Sequence, residues 1–349
     1  MIAAVFEGQG KLVLKDRPKP CLKRPDDVLV KVTGVGICGT DLHILQVPPA
    51  HPAKVGAILG HEFTGEVFEV GPEVQGLAAG DHVLVDPHPG CGLCEECRAG
   101  HPDRCVPLYS SATAPGHSAT IGIFSDGAMT SYALVPAHAL YRVDPAVPSH
   151  IAALAEPLAC VVSASRKLKV QPGDTVVVLG AGPIGLLYAS FFRACGAAKI
   201  LVSELSEYRR AVAEEVGADR VVDPQHEDLE EVVRAEMPGG AHVVVEAVGP
   251  LLPQAIELAR AGGRILQFGH DELARPQIIV AEIVRKELII YGGFIGRFAF
   301  SELPGILASG VLPLDKIVSH RLPLSQVHEG LQLLRTGRAI KVVLQPEAY

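Results

Sequence analysis

Between about residue 156 and residue 294, short continuous apolar runs alternate with stretches in which apolar residues recur every three or four positions. The runs are TVVVLG, KILVSE, DRVVD, HVVVEAVG, RILQFG and LIIYGGF; GPIGLLYASFFRACG, SEYRRAVAEEVG and LLPQAIELARAGG lie between them. Runs of this length read as strands buried on both faces, and the spaced pattern reads as helix. Six strands with intervening helices predict an α/β unit, a doubly wound parallel sheet over 156–294.

The flanking sequence has another texture. MIAAVFEGQGKLVLKD predicts a hairpin turning at Gly8-Gln9-Gly10. VLVKVTGVGIC, GEVFEVG, DHVLVDP and TSYALVPAHAL, punctuated by Gly, Pro and Asp, predict a β-rich, irregular domain over 1–155. After residue 295 come two helical stretches, FSELPGILASG and SQVHEGLQLLRTG, and one strand, IKVVLQ. One strand cannot make a domain, so 295–349 is expected to return to the first.

Composition narrows the function. With 349 residues, 48% hydrophobic and 20% charged, the chain is long enough for two domains. A net charge of −8 and the absence of tryptophan argue against nucleic acid as partner. The N-terminus lacks the basic and apolar regions of a secretory signal, and no apolar run approaches the ~18 residues a membrane span needs. No membrane partner is expected.

Four of eight cysteines, Cys91, Cys94, Cys97 and Cys105, fall within CGLCEECRAGHPDRC. Four thiolates so spaced, with Gly90, Gly92, Gly100 and Pro102 supplying turns, can enclose one tetrahedral ion; closed all-sulfur sites suit structural zinc. The lobe, residues 88–108, lacks the C-x3-C-P ending of bacterial iron–sulfur runs. Thiolates reserved for metal fit a reducing compartment, so the cytoplasm is the expected location.

TVVVLGAGPIG places a strand before, and a helix after, the turn formed by Gly180, Gly182, Pro183, Ile184 and Gly185. Gly180 permits the tight turn, Gly182 lets backbone approach a pyrophosphate, and Gly185 allows close helix–strand packing. Glu204 closes the next strand, nineteen residues beyond Gly185, where a carboxylate binds the adenosine ribose hydroxyls and disfavours a 2′-phosphate. NAD is therefore the expected dinucleotide, although Arg209 and Arg210 are placed to accept that phosphate.

A looser set of ligand types lies in GICGTDLH (Cys38, Thr40, Asp41, His43), GHEFTGEV (His61, Glu62) and AEPLAC (Glu156). On spacing alone, a metal site and unrelated core or polar residues both remain open. These motifs, the cysteine lobe and the glycine-rich turn occur in an order that resembles the zinc-dependent medium-chain dehydrogenase/reductase family, over nearly the whole chain. The resemblance implies a GroES-like β-rich catalytic domain interrupted by a Rossmann domain, with the active site in the cleft between them. It implies two zinc ions per chain, one in the lobe and one catalytic. Cys38 and His61 would be catalytic zinc ligands, with Glu62 binding zinc or sitting just behind it. Glu156 would hold the third-ligand position, and Asp41 would orient His61. Thr40 resembles the hydroxyl that takes the substrate proton, and His43 the imidazole that relays it.

The activity implied is NAD-dependent oxidation of a secondary alcohol of a polyol, sugar or cyclitol, with L-threonine 3-dehydrogenase as the alternative. A non-catalytic NAD(P)-binding relative is a third reading, disfavoured because such members generally lose the zinc residues. Tyr109, Phe124, Phe294 and Arg297 flank the lobe or the domain junction and are candidate pocket residues. Sorbitol-type enzymes usually place arginine directly after the phenylalanine of the last Rossmann strand; Ile295 stands there, which disfavours sorbitol itself. Cys21, Cys160 and Cys195 read as packing residues. The apolar strand ELIIYGG suggests pairing across an interface, in a homodimer or homotetramer.

Overall fold

A computed structural model describes residues 1–105, 120–296 and 298–346. The chain divides into two compact units: one comprises 1–159, 295–309 and 318–349, the other 160–294 and 310–317.

The first unit is β-rich. Its hairpin pairs Ile2–Gly8 with Lys11–Asp16 antiparallel, and Gln9 and both flanking glycines take positive φ at the turn. Its main sheet runs in the order Val318–Pro323, Lys341–Gln345, Asp27–Ile37, Glu62–Val70, His82–Val85 and Leu140–Arg142, with Tyr132–Pro136 also pairing to Asp27–Ile37. Alternating apolar positions on these strands, among them Val30, Val32, Phe63 and Val85, build one buried core. Lys341–Gln345 lies antiparallel to Asp27–Ile37, so the end of the chain is built into the sheet. The strand Val318–Pro323 escaped the sequence reading because SHRLP is polar and carries proline. It is an edge strand, whose Ser319 hydroxyl donates to the Lys341 carbonyl (2.9 Å).

The second unit is a parallel sheet in the order Arg220–Val222, Lys199–Ser203, Thr175–Leu179, Ala241–Glu246, Ala259–Gln267 and Ile289–Gly292. Thr175–Leu179 sits centrally with Lys199–Ser203 on one side and Ala241–Glu246 on the other, which is the point where the strand order reverses. Val177, Leu179, Leu201, Val244 and Ile265 are buried in its core. Asp228 caps the helix Leu229–Glu236 by accepting from the N–H groups of Glu230 and Glu231. The helix expected over LLPQAIELARAGG stops at Leu258, and Ala259 onward is strand. Paired glycines are poor helix formers, and parallel pairing of Ala259 with Ala241 recruits the segment into the sheet. Among the described residues, no helix is long and apolar enough to cross a membrane.

Candidate functional site

Cys38 precedes the short helix Gly39–Ile44, and its N–H donates to the Asp41 carboxylate (2.9 Å). That bond fixes the loop which presents the thiol. His61 and Glu62 enter from the start of the strand Glu62–Val70, beside Asp27–Ile37. One ligand atom from each of Cys38, His61 and Glu62 lies within 4.8 Å of the others. Glu156, in the first turn of the helix Ala155–Leu168, stands outside that tight trio but acts electrostatically on His61 and on Lys341.

The charge balance is one-sided. Asp41, Glu62 and Glu156 are buried, and Lys341 is the buried lysine that answers them. It forms an ion pair with Glu62 and donates to the Ile37 carbonyl (3.2 Å). Burial by itself would lower the Lys341 pKa; Glu62, then Cys38, outweigh it and hold the ammonium charged above its usual range. Burial would likewise lower His61, but Cys38, Asp41 and Glu156 push it up to about 10. Burial, then Glu62, raise the Cys38 thiol. Both groups thus retain protons that would be lost if Cys38 as thiolate and His61 as neutral imidazole held a divalent cation. His61 Nδ1 and Asp41 Oδ1 face each other at 3.9 Å, each buried without a hydrogen bond. The donor set fits a zinc ion: soft sulfur, imidazole and carboxylate, with negative charge in excess.

The cysteine lobe fits one as well. Cys91 and Cys97 sulfurs are 4.0 Å apart, Cys94 and Cys105 sulfurs 3.9 Å. Zinc–sulfur bonds of ~2.3 Å at tetrahedral angles place sulfurs about 3.8 Å apart, whereas a disulfide needs ~2.05 Å. N–H groups of Leu93 and Cys94 donate to the Cys91 sulfur (3.4 and 3.3 Å). Burial would raise that thiol, but these bonds and its cysteine neighbours bring it down to about 6.

In the second unit, Gly180 has φ 94°, and a Cβ on Gly185 would lie 1.9 Å from the Gly180 carbonyl oxygen, so turn and helix meet without side chains. Gly182 differs: its φ is ordinary and a Cβ there would meet nothing within 4 Å. That open space, at the start of the helix Pro183–Ala194 with its free N–H groups, fits a dinucleotide pyrophosphate. Glu204 accepts from Ala181 N–H (2.7 Å) and Ser206 N–H (2.9 Å), fixing its carboxylate beside the turn. Arg210 is committed to the Glu204 and Leu205 carbonyls and to Asp223. Arg209 Nε is buried without a hydrogen bond.

Comparison with known proteins decides the family. The alcohol dehydrogenase GroES-like domain matches residues 24–145, and the zinc-binding dehydrogenase domain matches 183–309. An L-threonine 3-dehydrogenase of Pyrococcus horikoshii is 35% identical over 96% of this chain and 94% of its own. The "Probable D-xylulose reductase A" of Arthroderma otae is 33% identical over 98% and 96%. A candidate zinc-binding dehydrogenase of Sinorhizobium meliloti, solved with NADP, superposes with a TM-score of 0.91 at 32% identity, covering 99% of both chains. The chain belongs to the zinc-dependent medium-chain dehydrogenase family.

Membership makes it an oxidoreductase of the alcohol dehydrogenase type, with zinc and a nicotinamide dinucleotide as cofactors. For this medium-chain dehydrogenase, the structure brings Cys38, His61 and Glu62 together and places Thr40 and His43, both half-buried, on the adjoining helix. Phe124 is buried in the first unit's core, and Phe294 is 49% exposed. Tyr109 and Arg297 lie outside the described residues. Cys160 is buried, but Cys21 and Cys195 are exposed and so are not packing residues.

Three residues that sequence reasoning missed stand at the site. The sequence's one sign of Lys341 is a charge inside the apolar run IKVVLQ, a position that demands a partner once buried. Asp86 and His88 follow the strand His82–Val85. Burial, then Glu156, raise Asp86 to about 7, while burial and His61 lower His88 to about 3. No ligand spacing in the sequence marks either.

Replacing Lys341 with Met leaves the Glu62 charge buried and unpaired, a loss on the order of 3–5 kcal/mol. Zinc held by Cys38, His61 and Glu62 would supply the missing positive charge. Thermal unfolding of Lys341→Met should therefore show a large deficit in chelator that shrinks when zinc is restored. An equal deficit in both conditions would remove Lys341 from the charge balance of the metal site.

Proposed function

We propose that this chain oxidises a secondary alcohol of a polyol, sugar or cyclitol to the ketone, with NAD as hydride acceptor. The observation that carries the reading is the trio of half-buried Cys38 with buried His61 and Glu62, with surplus negative charge around it, in a zinc-dependent alcohol dehydrogenase. Two zinc ions per chain are assigned, one to this trio with Glu156 beside it, and one to Cys91, Cys94, Cys97 and Cys105. With four sulfurs spent, the lobe has no position for substrate and serves to clip its loop.

Zinc supplies Lewis acidity that eases loss of the alcohol proton, and the dinucleotide supplies the carbon that accepts hydride. The protein's residues do the rest. Asp41 holds the Cys38 loop through the Cys38 N–H. Thr40 is assigned to accept the hydroxyl proton in a hydrogen bond and His43, three positions on along the same helix, to pass it to solvent. Hydride and proton leave the same carbinol unit, so the products are ketone, NADH and a proton. Gly180, Gly182, Pro183, Ile184 and Gly185 are assigned to the pyrophosphate, and Glu204 to the adenosine ribose.

The NAD assignment rests on Glu204, whose charge opposes a 2′-phosphate, and on the engagement of Arg210 elsewhere. The similar Sinorhizobium protein binds NADP, so Arg209 is the residue that moderates the preference. L-threonine, whose 3-hydroxyl is also a secondary alcohol, is the second reading, favoured by the 35% identity to the Pyrococcus enzyme. We also assign a homodimer or homotetramer. The edge strand Ile289–Gly292 exposes Ile289 and Ile290, and the neighbouring helix Val280–Arg285 buries none of its residues. Lobe thiolates reserved for metal suit a reducing compartment, so the cytoplasm is assigned as the location.

Initial rates of dinucleotide reduction with xylitol, sorbitol, inositol, threitol and L-threonine test the substrate class. The polyol reading expects the highest kcat/KM with a polyol or cyclitol; L-threonine ahead of all of them selects the second reading. Removing the Glu204 carboxylate with Glu204→Ala should move the NAD/NADP ratio of kcat/KM towards NADP by about tenfold, the scale of one charged contact. An unmoved ratio would take Glu204 out of cofactor choice.

A further inference from the structure

At the carboxyl end of the second unit's sheet, Leu179, Glu246, Gln267 and Gly292 lie side by side as the last residues of four adjacent strands. Glu246 is fully buried. Its Oε1 accepts from the N–H groups of Val248 (2.8 Å) and Gly249 (2.7 Å), so the carboxylate folds back into the loop that follows it. Its Oε2 accepts from Gln267 Nε2 on the next strand. The same nitrogen faces the carbonyls of Gly249 (3.1 Å) and Gly269 (3.0 Å). The Glu246 carbonyl in turn accepts from Phe268 and Gly269 N–H (2.9 and 2.8 Å).

Two side chains therefore tie two loops together, 247–249 and 268–269. The sequence is fitted to the tie. Gly249 has φ 132°, and a Cβ on Gly269 would sit 2.2 Å from the Gly249 nitrogen. The tied loop carries Val248, whose Cγ2 lies 2.7 Å from where a Cβ on Gly180 would be. Val248 thus stands across the first glycine of the phosphate turn, with 47% of its surface exposed.

We infer that the Glu246–Gln267 pair is a positioning device for the dinucleotide: it fixes the wall formed by Val248 against the Gly180 turn. This rests on the reading of that turn as the pyrophosphate site. Glu246 touches no cofactor in this account and acts only through the loop. Had the carboxylate been absent, the Val248 and Gly249 N–H groups would stand free as a second anion-binding nest beside the turn. Filling that nest with the chain's own carboxylate leaves the N–H groups at the helix start Pro183–Ala194 as the place for phosphate.

Gln267 Oε1 is buried without a hydrogen bond, so the amide serves only as a donor. That makes a discriminating pair of variants. Gln267→Leu keeps bulk and removes every donor. Gln267→Lys supplies three donors to the three oxygens and forfeits no acceptor in use. The readout is the NADH dissociation constant, from the nucleotide's own fluorescence in a chain without tryptophan, alongside kcat and thermal unfolding.

The expected result is NADH binding weakened about tenfold or more in Gln267→Leu, the scale of a lost hydrogen bond to a charged group. Gln267→Lys should bind close to wild type, with kcat little changed in both. Equal NADH affinity in Gln267→Leu and wild type overturns the inference, as does equal weakening by Leu and Lys, which would indicate packing alone. Failure of the wild type to bind NADH or NADPH would instead overturn the reading of the turn. Should Gln267→Leu not fold, amide exchange in the wild type decides: Val248 and Gly249 N–H must exchange far more slowly than exposed loop amides. Exchange at the exposed rate removes the clasp.

Discussion

The first unit is organised around a buried ion pair, Lys341 with Glu62. A carboxylate and an ammonium taken out of water together are costly unless each is answered by charge and hydrogen bonds. Here the answer comes from distant parts of the chain. Glu62 opens one strand, Lys341 opens the last, and Asp27–Ile37 lies between them with its Ile37 carbonyl on the ammonium. The chain's end is held in the first unit's sheet by pairing with Asp27–Ile37 and by the buried Val342, Val343 and Leu344, and Lys341 reaches Glu62 from there. Antiparallel pairing of Gly36 with Glu62 brings Cys38, one residue beyond the central strand, near His61, one before its neighbour.

The two thiolate sites illustrate one chemistry used for two ends. In the lobe, four sulfurs, steadied by local N–H groups that donate to the Cys91 sulfur, would leave a bound ion no position for substrate, so the role proposed for it is stability and not turnover. Around Cys38 and His61, sulfur is replaced by carboxylate and the neighbours are charged, leaving a harder and less closed set. The second unit likewise answers carboxylates that are half-buried or buried, Glu204 and Glu246, from its own backbone. Glu204 and Glu246, at the ends of different strands, each turn back onto backbone N–H groups. They shape the space that the glycine turn leaves open.

Much of this was legible in the sequence. The central parallel strands follow from continuous apolar runs, because strands buried on both faces have no polar period; Ile289–Gly292 is as apolar but lies exposed at the edge. The phosphate turn was readable because strand, glycines and helix are contiguous. The helix end at Leu258 was not, since helix and strand share the apolar string ELARAGGRIL and only pairing with Ala241 breaks the tie. Lys341 and the Glu246–Gln267 clasp were invisible for one shared reason. Their partners are fixed by sheet register, which joins residues 62 and 341, or 246 and 267, without any local spacing. The Cys38–His61–Glu62 trio sat between these cases: resemblance named it, and geometry assembled it.

The surplus negative charge around Cys38, His61 and Glu62 is assigned to a zinc site separate from the cysteine lobe. Elemental analysis of the purified wild type and of Cys38→Ala tests it most directly. About two zinc ions per chain are expected in the wild type and about one in the variant, with the lobe still loaded. One zinc ion per chain in both proteins would contradict it.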